Sequence, residues 1–328
     1  MREQLSGIHH VTAIASDPQA NVDFYVGVLG LRLVKRTVNF DDPGTYHLYY
    51  GDRAGSPGTI MTFFPWPASP RGKVGTGQVG ATAFSIPKDG VAYWQDRLAR
   101  HNVVVQDSVV RFEERVLPFE DPDGLPLELI AAEHDPRPGW PDGPVAPLHA
   151  IRGFHSVTLL ERSGDACEPT TSLLTSMDFP LLHKDGDRFR YAAGADADRA
   201  PHAGAPGTLV DVLCRGGLPP GRIAAGTVHH VAWRTLDDAQ QLAWRRRIAE
   251  MGIGVTDVRD RQYFRSIYFR EPGGVLFEIA TDPPGFTADE SLERLGTELK
   301  LPPWLESRRG ALERSLPAIR LPELVRDS

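Results

Sequence analysis

Cysteine is almost missing from this chain. Cys167 and Cys214 are the only two among 328 residues, too few for a disulfide framework or a thiolate metal site, so both read as reduced core or loop thiols. Positive charge is not in excess either. Against 36 Lys and Arg stand 43 Asp and Glu, a formal net charge of −7, which removes the electrostatic reason to expect nucleic acid or an anionic membrane as a partner. No apolar run approaches the length that spans a bilayer. The N-terminal MREQLSGIHHVTAI passes straight into a strand pattern without the charged and apolar regions of a signal peptide, so a cytoplasmic location is expected. What is present is a 41% hydrophobic chain, long enough for two domains of ordinary size. Small-molecule chemistry is the class these exclusions leave.

The stretch Gly226–Asp282 organises the rest. Alternation around His229 and His230 predicts a strand, Asp237 or Asp238 an N-cap, and Ala239 to Met251 a helix closed by Gly252. Strands are predicted around Ile253–Val258, Tyr263–Phe269 and Val275–Ala280, which makes a βαβββ unit. The same plan recurs. Strand starts resembling Thr227–Ala232 stand at Gly7–Thr12, Gln78–Ala83 and Gly153–Thr158, about 70 to 76 residues apart. Helices are predicted at Pro18–Leu29, Gly90–Arg100, Pro169–Met177 and Asp238–Met251. Each copy ends with a glycine before an apolar strand: GTIMTFF from Gly58, GLPLELI from Gly124, GTLVDVL from Gly207 and GVLFEIA from Gly274.

Aligning the copies yields a first-strand slot (His10, Gly80, Ser156, His230) and a last-strand slot (Thr62, Glu128, Asp211, Glu278). Pairing the copies in chain order puts no two histidines together. Pairing the first with the fourth assembles His10, His230 and Glu278, and leaves Glu128 and Asp211 as relics or solvated sheet-end residues. Two neutral imidazoles and one carboxylate leave coordination positions open, which suits non-haem Fe(II) enzymes that activate dioxygen; Mn(II) or Zn(II) fit the same ligands.

The fourfold repeat with these ligands resembles the vicinal oxygen chelate superfamily. The runs GIHHVT, FYVGVLGLRLVKRTVNFDDPGTYHLYYGD, GTVHHVAW and DRQYFRSIYFREPGGVLFEIATDPPGF resemble its hydroquinone-type ring-cleaving dioxygenases, over roughly Leu5 to Phe286. The resemblance implies an α+β fold of four βαβββ modules in two tandem domains. It implies iron on His10, His230 and Glu278, an aromatic diol and O2 as substrates, and supporting roles for His9, Thr12, His229, Arg261 and Tyr268. Relatives are often oligomeric, so a homo-oligomer is expected.

The domains are expected at residues 1–134 and 153–286, with a linker at 135–152 and a tail at 287–328. Thr12 shares the face of His10, whereas strict alternation points His9 and His229 to the opposite side. His9, His229 or Tyr268 is the candidate acid or base. Two other readings remain: a glyoxalase-like isomerase, disfavoured because Thr62 stands where a second carboxylate is needed, and a metal-free ligand-binding protein. Ala193–Gly207 reads as an extended loop, either mobile or covering the pocket.

Overall fold

The computed structural model describes residues 4–67, 69–194 and 204–326. Residues 195–203 of the expected Ala193–Gly207 loop, His202 among them, lie outside the described residues. Among the described residues no helix is long and apolar enough to cross a membrane.

The chain forms four βαβββ modules. The first holds β1 (Ile8–Ala15), β2 (Arg32–Val38), β3 (Tyr46–Gly51) and β4 (Ile60–Pro65), the second β5 (Gln78–Pro87), β6 (Val109–Arg111), β7 (Glu114–Glu120) and β8 (Pro126–Ala132). The third holds β9 (Gly153–Glu161), β10 (Leu181–Asp185), β11 (Arg188–Ala192) and β12 (Leu209–Cys214), the fourth β13 (Thr227–Thr235), β14 (Arg259–Asp260), β15 (Arg265–Arg270) and β16 (Leu276–Thr281). After each first strand comes a helix: α1 (Pro18–Val22), α2 (Val91–Arg100), α3 (Glu168–Ser176) or α4 (Asp238–Glu250). The glycine that opens each last strand has positive φ in all four copies, Gly58 (91°), Gly124 (82°), Gly207 (90°) and Gly274 (114°). A side chain is strained in that conformation, which explains why the repeat ends on glycine each time.

Two eight-stranded sheets result, and each draws on both halves of the chain. One runs β14-β15-β16-β13-β1-β4-β3-β2 and the other β10-β11-β12-β9-β5-β8-β7-β6. The first module is thereby joined to the fourth and the second to the third, through antiparallel β1–β13 and β5–β9 pairs. Buried aliphatic and aromatic side chains where the sheets meet the helices, such as Val11 and Trp233 on strands and Trp94 and Trp244 on helices, form the core.

Several expectations need correction. The helix predicted over Pro18–Leu29 is α-helical only to Val22 and continues as a π-helix over Asp23–Val28, with Leu29 N–H donating to Phe24 O. Asp17, followed by Pro18 at the first helical position, caps it by accepting from Ala20 N–H. The strand predicted over Ile253–Val258 is reduced to a bridge between Val255 and Phe269, and β15 instead pairs with the two residues Arg259–Asp260. Cys167 and Cys214 are a disulfide rather than free thiols, with Cα atoms 5.8 Å apart. Their 47-residue separation hides the contact, because only the folded module brings the start of α3 to the end of β12.

The tail folds back on the first module. Lys35, fully buried on β2, pairs with Asp289 at 2.6 Å and with Glu290. Asp289 also accepts a 3.0 Å bond from the Tyr263 hydroxyl, which pins the segment that carries Phe264.

The near-copy turns FEDPDG and FREPGG are capped alike by a buried carboxylate. Asp121 accepts from Asp123 and Leu125 N–H at 2.9 Å each, and Glu271 accepts from Gly273 and Val275 N–H at 2.8 and 2.7 Å. Burial pushes the Asp121 carboxyl up to about 7; the Leu125 N–H bond opposes the rise and the Asp123 charge adds to it. A carboxyl raised on folding stabilises most below its unfolded value of 3.8, and that contribution is lost as pH climbs to about 7. Asp121→Asn should therefore gain stability relative to the wild type between pH 4 and 8 in chemical denaturation. A pH-independent difference would contradict this.

Candidate metal centre and its cavity

Strand register assembles the site in two adjacent rows. Tyr268, Glu278, Ala232 and His10 are successive Cα partners across β15, β16, β13 and β1. His230, Thr12, Thr62 and Tyr49 are successive partners across β13, β1, β4 and β3. The seam between the first and fourth modules is therefore where the slots converge.

His10 Nε2 lies 3.3 Å from His230 Nε2, and Glu278 Oε2 lies 3.3 Å from His10 Nε2 and 3.0 Å from His230 Nε2. All three residues are buried, at 1%, 5% and 0% exposure. Among the described residues they form the one cluster of three such side chains whose ligand atoms lie within 4.8 Å of one another. Ser266 donates to Glu278 Oε1, but Oε2 has no hydrogen bond of acceptable geometry. Burial alone would raise the Glu278 carboxyl, yet the facing His10 and His230 imidazoles outweigh it and hold it well below its ordinary range. An orphaned buried carboxylate oxygen facing two imidazole nitrogens is the donor set a divalent cation satisfies.

His9 and His229 do not point away. The β1–β13 ladder slips between Ile8 and His10 and again between Thr12 and Ala13, so His9 and His229 are the extra residues of two bulges. Freed from alternation, His9 Nδ1 comes within 2.9 Å of His10 Nδ1, and His229 Nδ1 within 2.7 Å of His230 Nδ1. If His230 ligates through Nε2, its Nδ1–H donates to His229 Nδ1, which leaves the His229 proton on Nε2. The pair is not equivalent, because His229 lines the cavity whereas His9 sits behind it against Phe264. Burial, then the neighbouring His230 and Arg270, push the His229 imidazole down to about 3, so it is neutral at physiological pH.

The cavity over the cluster measures about 490 Å³. Phe40, Phe64, Trp66, Phe264 and Leu276 make its apolar walls; Arg259, Arg261, Tyr268, Asn39, Asp41 and His47 supply polar groups. Arg261 Nε donates to the Tyr268 hydroxyl at 3.1 Å and pairs with Asp41 at 3.0 Å. Burial, then Glu278, raise the Tyr268 phenol above its ordinary range although Arg261 opposes them, so it keeps its proton. Thr12 is fully buried beneath the cavity, 3.0 Å from the Thr62 hydroxyl. His47, Tyr49, Asp41 and Ser266 are not singled out by the sequence reading. Extending the module alignment to the third strands finds Tyr49, because it lies opposite Thr62 as Tyr268 lies opposite Glu278.

The other sheet carries the matching seam without the chemistry. Glu128 and Asp211 are not solvated; both are buried and held by arginine. Arg111 donates to both Glu128 oxygens at 2.8 Å, while Arg188 and Arg190 donate to Asp211 at 2.9 and 2.7 Å. Guanidinium groups neutralise there the carboxylates that face imidazoles in the first sheet.

The chain belongs to the glyoxalase/bleomycin resistance protein/dioxygenase superfamily, which it matches over residues 7–129 and 177–279. Within that class it is 48% identical to "Putative ring-cleaving dioxygenase MhqO" of Bacillus subtilis (strain 168), over 99% of this chain and 100% of the relative. It is 37% identical to the chlorohydroquinone/hydroquinone 1,2-dioxygenase of Sphingobium indicum, over 96% of this chain and 97% of that one. A crystal structure of a "putative dioxygenase" from Bacillus subtilis superposes with a TM-score of 0.91 at 47% identity, covering 98% of this chain and 100% of the other.

Proposed function

We propose that this protein is a ring-cleaving dioxygenase that opens a hydroquinone- or catechol-type aromatic diol with O2, using Fe(II), or alternatively Mn(II), held by His10, His230 and Glu278. The observation that carries the reading is the buried triad with its unpartnered Glu278 oxygen, opening onto a largely aromatic cavity. The similarity to a hydroquinone 1,2-dioxygenase over nearly the whole chain supports the substrate class. The bound ion would supply Lewis acidity toward a phenolic oxygen and a path for electrons between ring and O2.

The chain's own side chains account for the rest. Phe64, Trp66 and Phe264 hold an aromatic ring, and their bulk excludes water from the centre. Arg261, fixed by Asp41, holds negative charge on a diol oxygen and keeps the Tyr268 hydroxyl turned to the cavity. His229 lines the cavity and presents its Nε2–H there as a donor, and His9 orients His10 from behind the wall. A glyoxalase-like isomerase would need a carboxylate where Thr62 stands among hydroxyls. A metal-free binding protein would leave the Glu278 charge buried with its Oε2 unsatisfied.

The test is anaerobic reconstitution with Fe(II), followed by oxygen uptake and ring-opening absorbance on parallel panels of hydroquinones and catechols. Oxygen uptake with a ring-opened product is expected on at least one panel. Iron binding without turnover on either panel would sink the substrate reading, and no metal binding would sink the reaction class.

A further inference from the structure

Thr62 occupies in the first module the strand position that Glu278 occupies in the fourth. Two residues before the facing tyrosine stands, in both modules, a side chain that bonds the slot. Ser266 donates to Glu278, and His47 Nε2 lies 2.8 Å from Thr62 Oγ1. The third module repeats the device, with Arg188 and Arg190 both donating to Asp211.

In the first module the donors have one direction. The Tyr49 hydroxyl is buried against Tyr263, Phe264 and Phe286, and burial keeps it protonated by raising it well above its ordinary range. Its one hydrogen-bond partner among the described residues is His47 Nδ1 at 2.8 Å, so placing the hydroxyl hydrogen there makes Nδ1 the acceptor. A neutral imidazole that accepts at Nδ1 carries its hydrogen on Nε2. Nε2–H therefore donates to Thr62 Oγ1, and Thr62 passes its own hydrogen to Thr12 Oγ1 at 3.0 Å. Thr12, two residues after His10 and opposite His230 in the ladder, ends the chain with a hydroxyl hydrogen still to place.

We propose that His47 is a positioning residue: through Thr62 it aims the Thr12 hydroxyl at the metal centre as a neutral donor, in the quarter where a second carboxylate would otherwise stand. Its effect on turnover rests on the dioxygenase reading; the direction of the hydrogen bonds does not. The competing role is packing alone, since the His47 ring packs at a tilt against Tyr49 and Phe64 with centroids 4.0 and 4.3 Å apart.

His47→Phe keeps the ring packing and removes the bonds, Thr62→Val cuts the chain at its middle, and Thr62→Ser restores it. With iron loaded, His47→Phe and Thr62→Val should each lower kcat by about tenfold or more. Iron content and anaerobic hydroquinone affinity should stay within about twofold, and the double variant should fall no further than either single one. Thr62→Ser should recover most of the rate. Independently of turnover, long-range 1H–15N NMR of the zinc-loaded full-length protein should find His47 as the Nε2–H tautomer. Wild-type kcat in His47→Phe, additive losses in the double variant, or an Nδ1–H tautomer would each overturn the proposal. If the wild type cleaves no ring, the dioxygenase reading fails, and the tautomer alone then decides the hydrogen-bond chain.

Discussion

Glu278→Gln should bind Fe(II) at least about a hundredfold more weakly than the wild type and should show no measurable ring opening. Glutamine keeps the volume and can still accept from Ser266 through its carbonyl oxygen, so the local structure has little reason to change. What it loses is the charge that faces His10 and His230. Loss of supporting hydrogen bonds around a metal costs roughly 10- to 100-fold in affinity, and loss of a charged ligand should exceed that. Thermal unfolding gives a readout separate from activity. The wild type should be stabilised by added Fe(II) under anaerobic conditions, by about 2.7 kcal/mol at a hundred times Kd, and Glu278→Gln should not. An unchanged response to Fe(II) in the variant would remove Glu278 from the metal site.

His229→Ala and His9→Ala should separate, although the two residues occupy equivalent positions in the repeat. Both should weaken iron binding by about 10- to 100-fold, because each removes the partner that fixes a ligand imidazole. At saturating iron only His229→Ala should lose turnover, by about a hundredfold or more, since His229 alone of the two lines the cavity and can reach a substrate. Measuring kcat per bound iron in both variants checks this. Equal losses would contradict the assignment of the reaction to His229 alone of the two, and an unchanged His229→Ala would take it out of the mechanism.

These expectations show where the chain is legible. The βαβββ unit and the union of the first and fourth modules can be read from sequence, because a repeat constrains itself: only one pairing places two histidines and a carboxylate together. The orientation of His9 and His229 cannot, since alternation is the default and nothing in GIHHVT or TVHHVA announces a bulge until the partner strand is in place. His47 is hidden for a different reason. It is an ordinary strand residue in YHLYYG until β3 is laid beside β4, where it faces the hydroxyl standing in a carboxylate's position. Glu128 and Asp211 read from sequence as relics or solvated residues; the solvated reading fails because the arginines that hold them come from other strands, β6 and β11. The Cys167–Cys214 pair is likewise a product of packing within the third module.

The central claim is that the seam between the first and fourth modules performs ring cleavage with dioxygen. Its most direct test is mass spectrometry of the product formed from a hydroquinone by the Fe(II)-loaded protein under 18O2. The account predicts an acyclic product carrying both oxygen atoms from the gas, absent in Glu278→Gln. A product with its ring intact, or with no label from the gas, would contradict it.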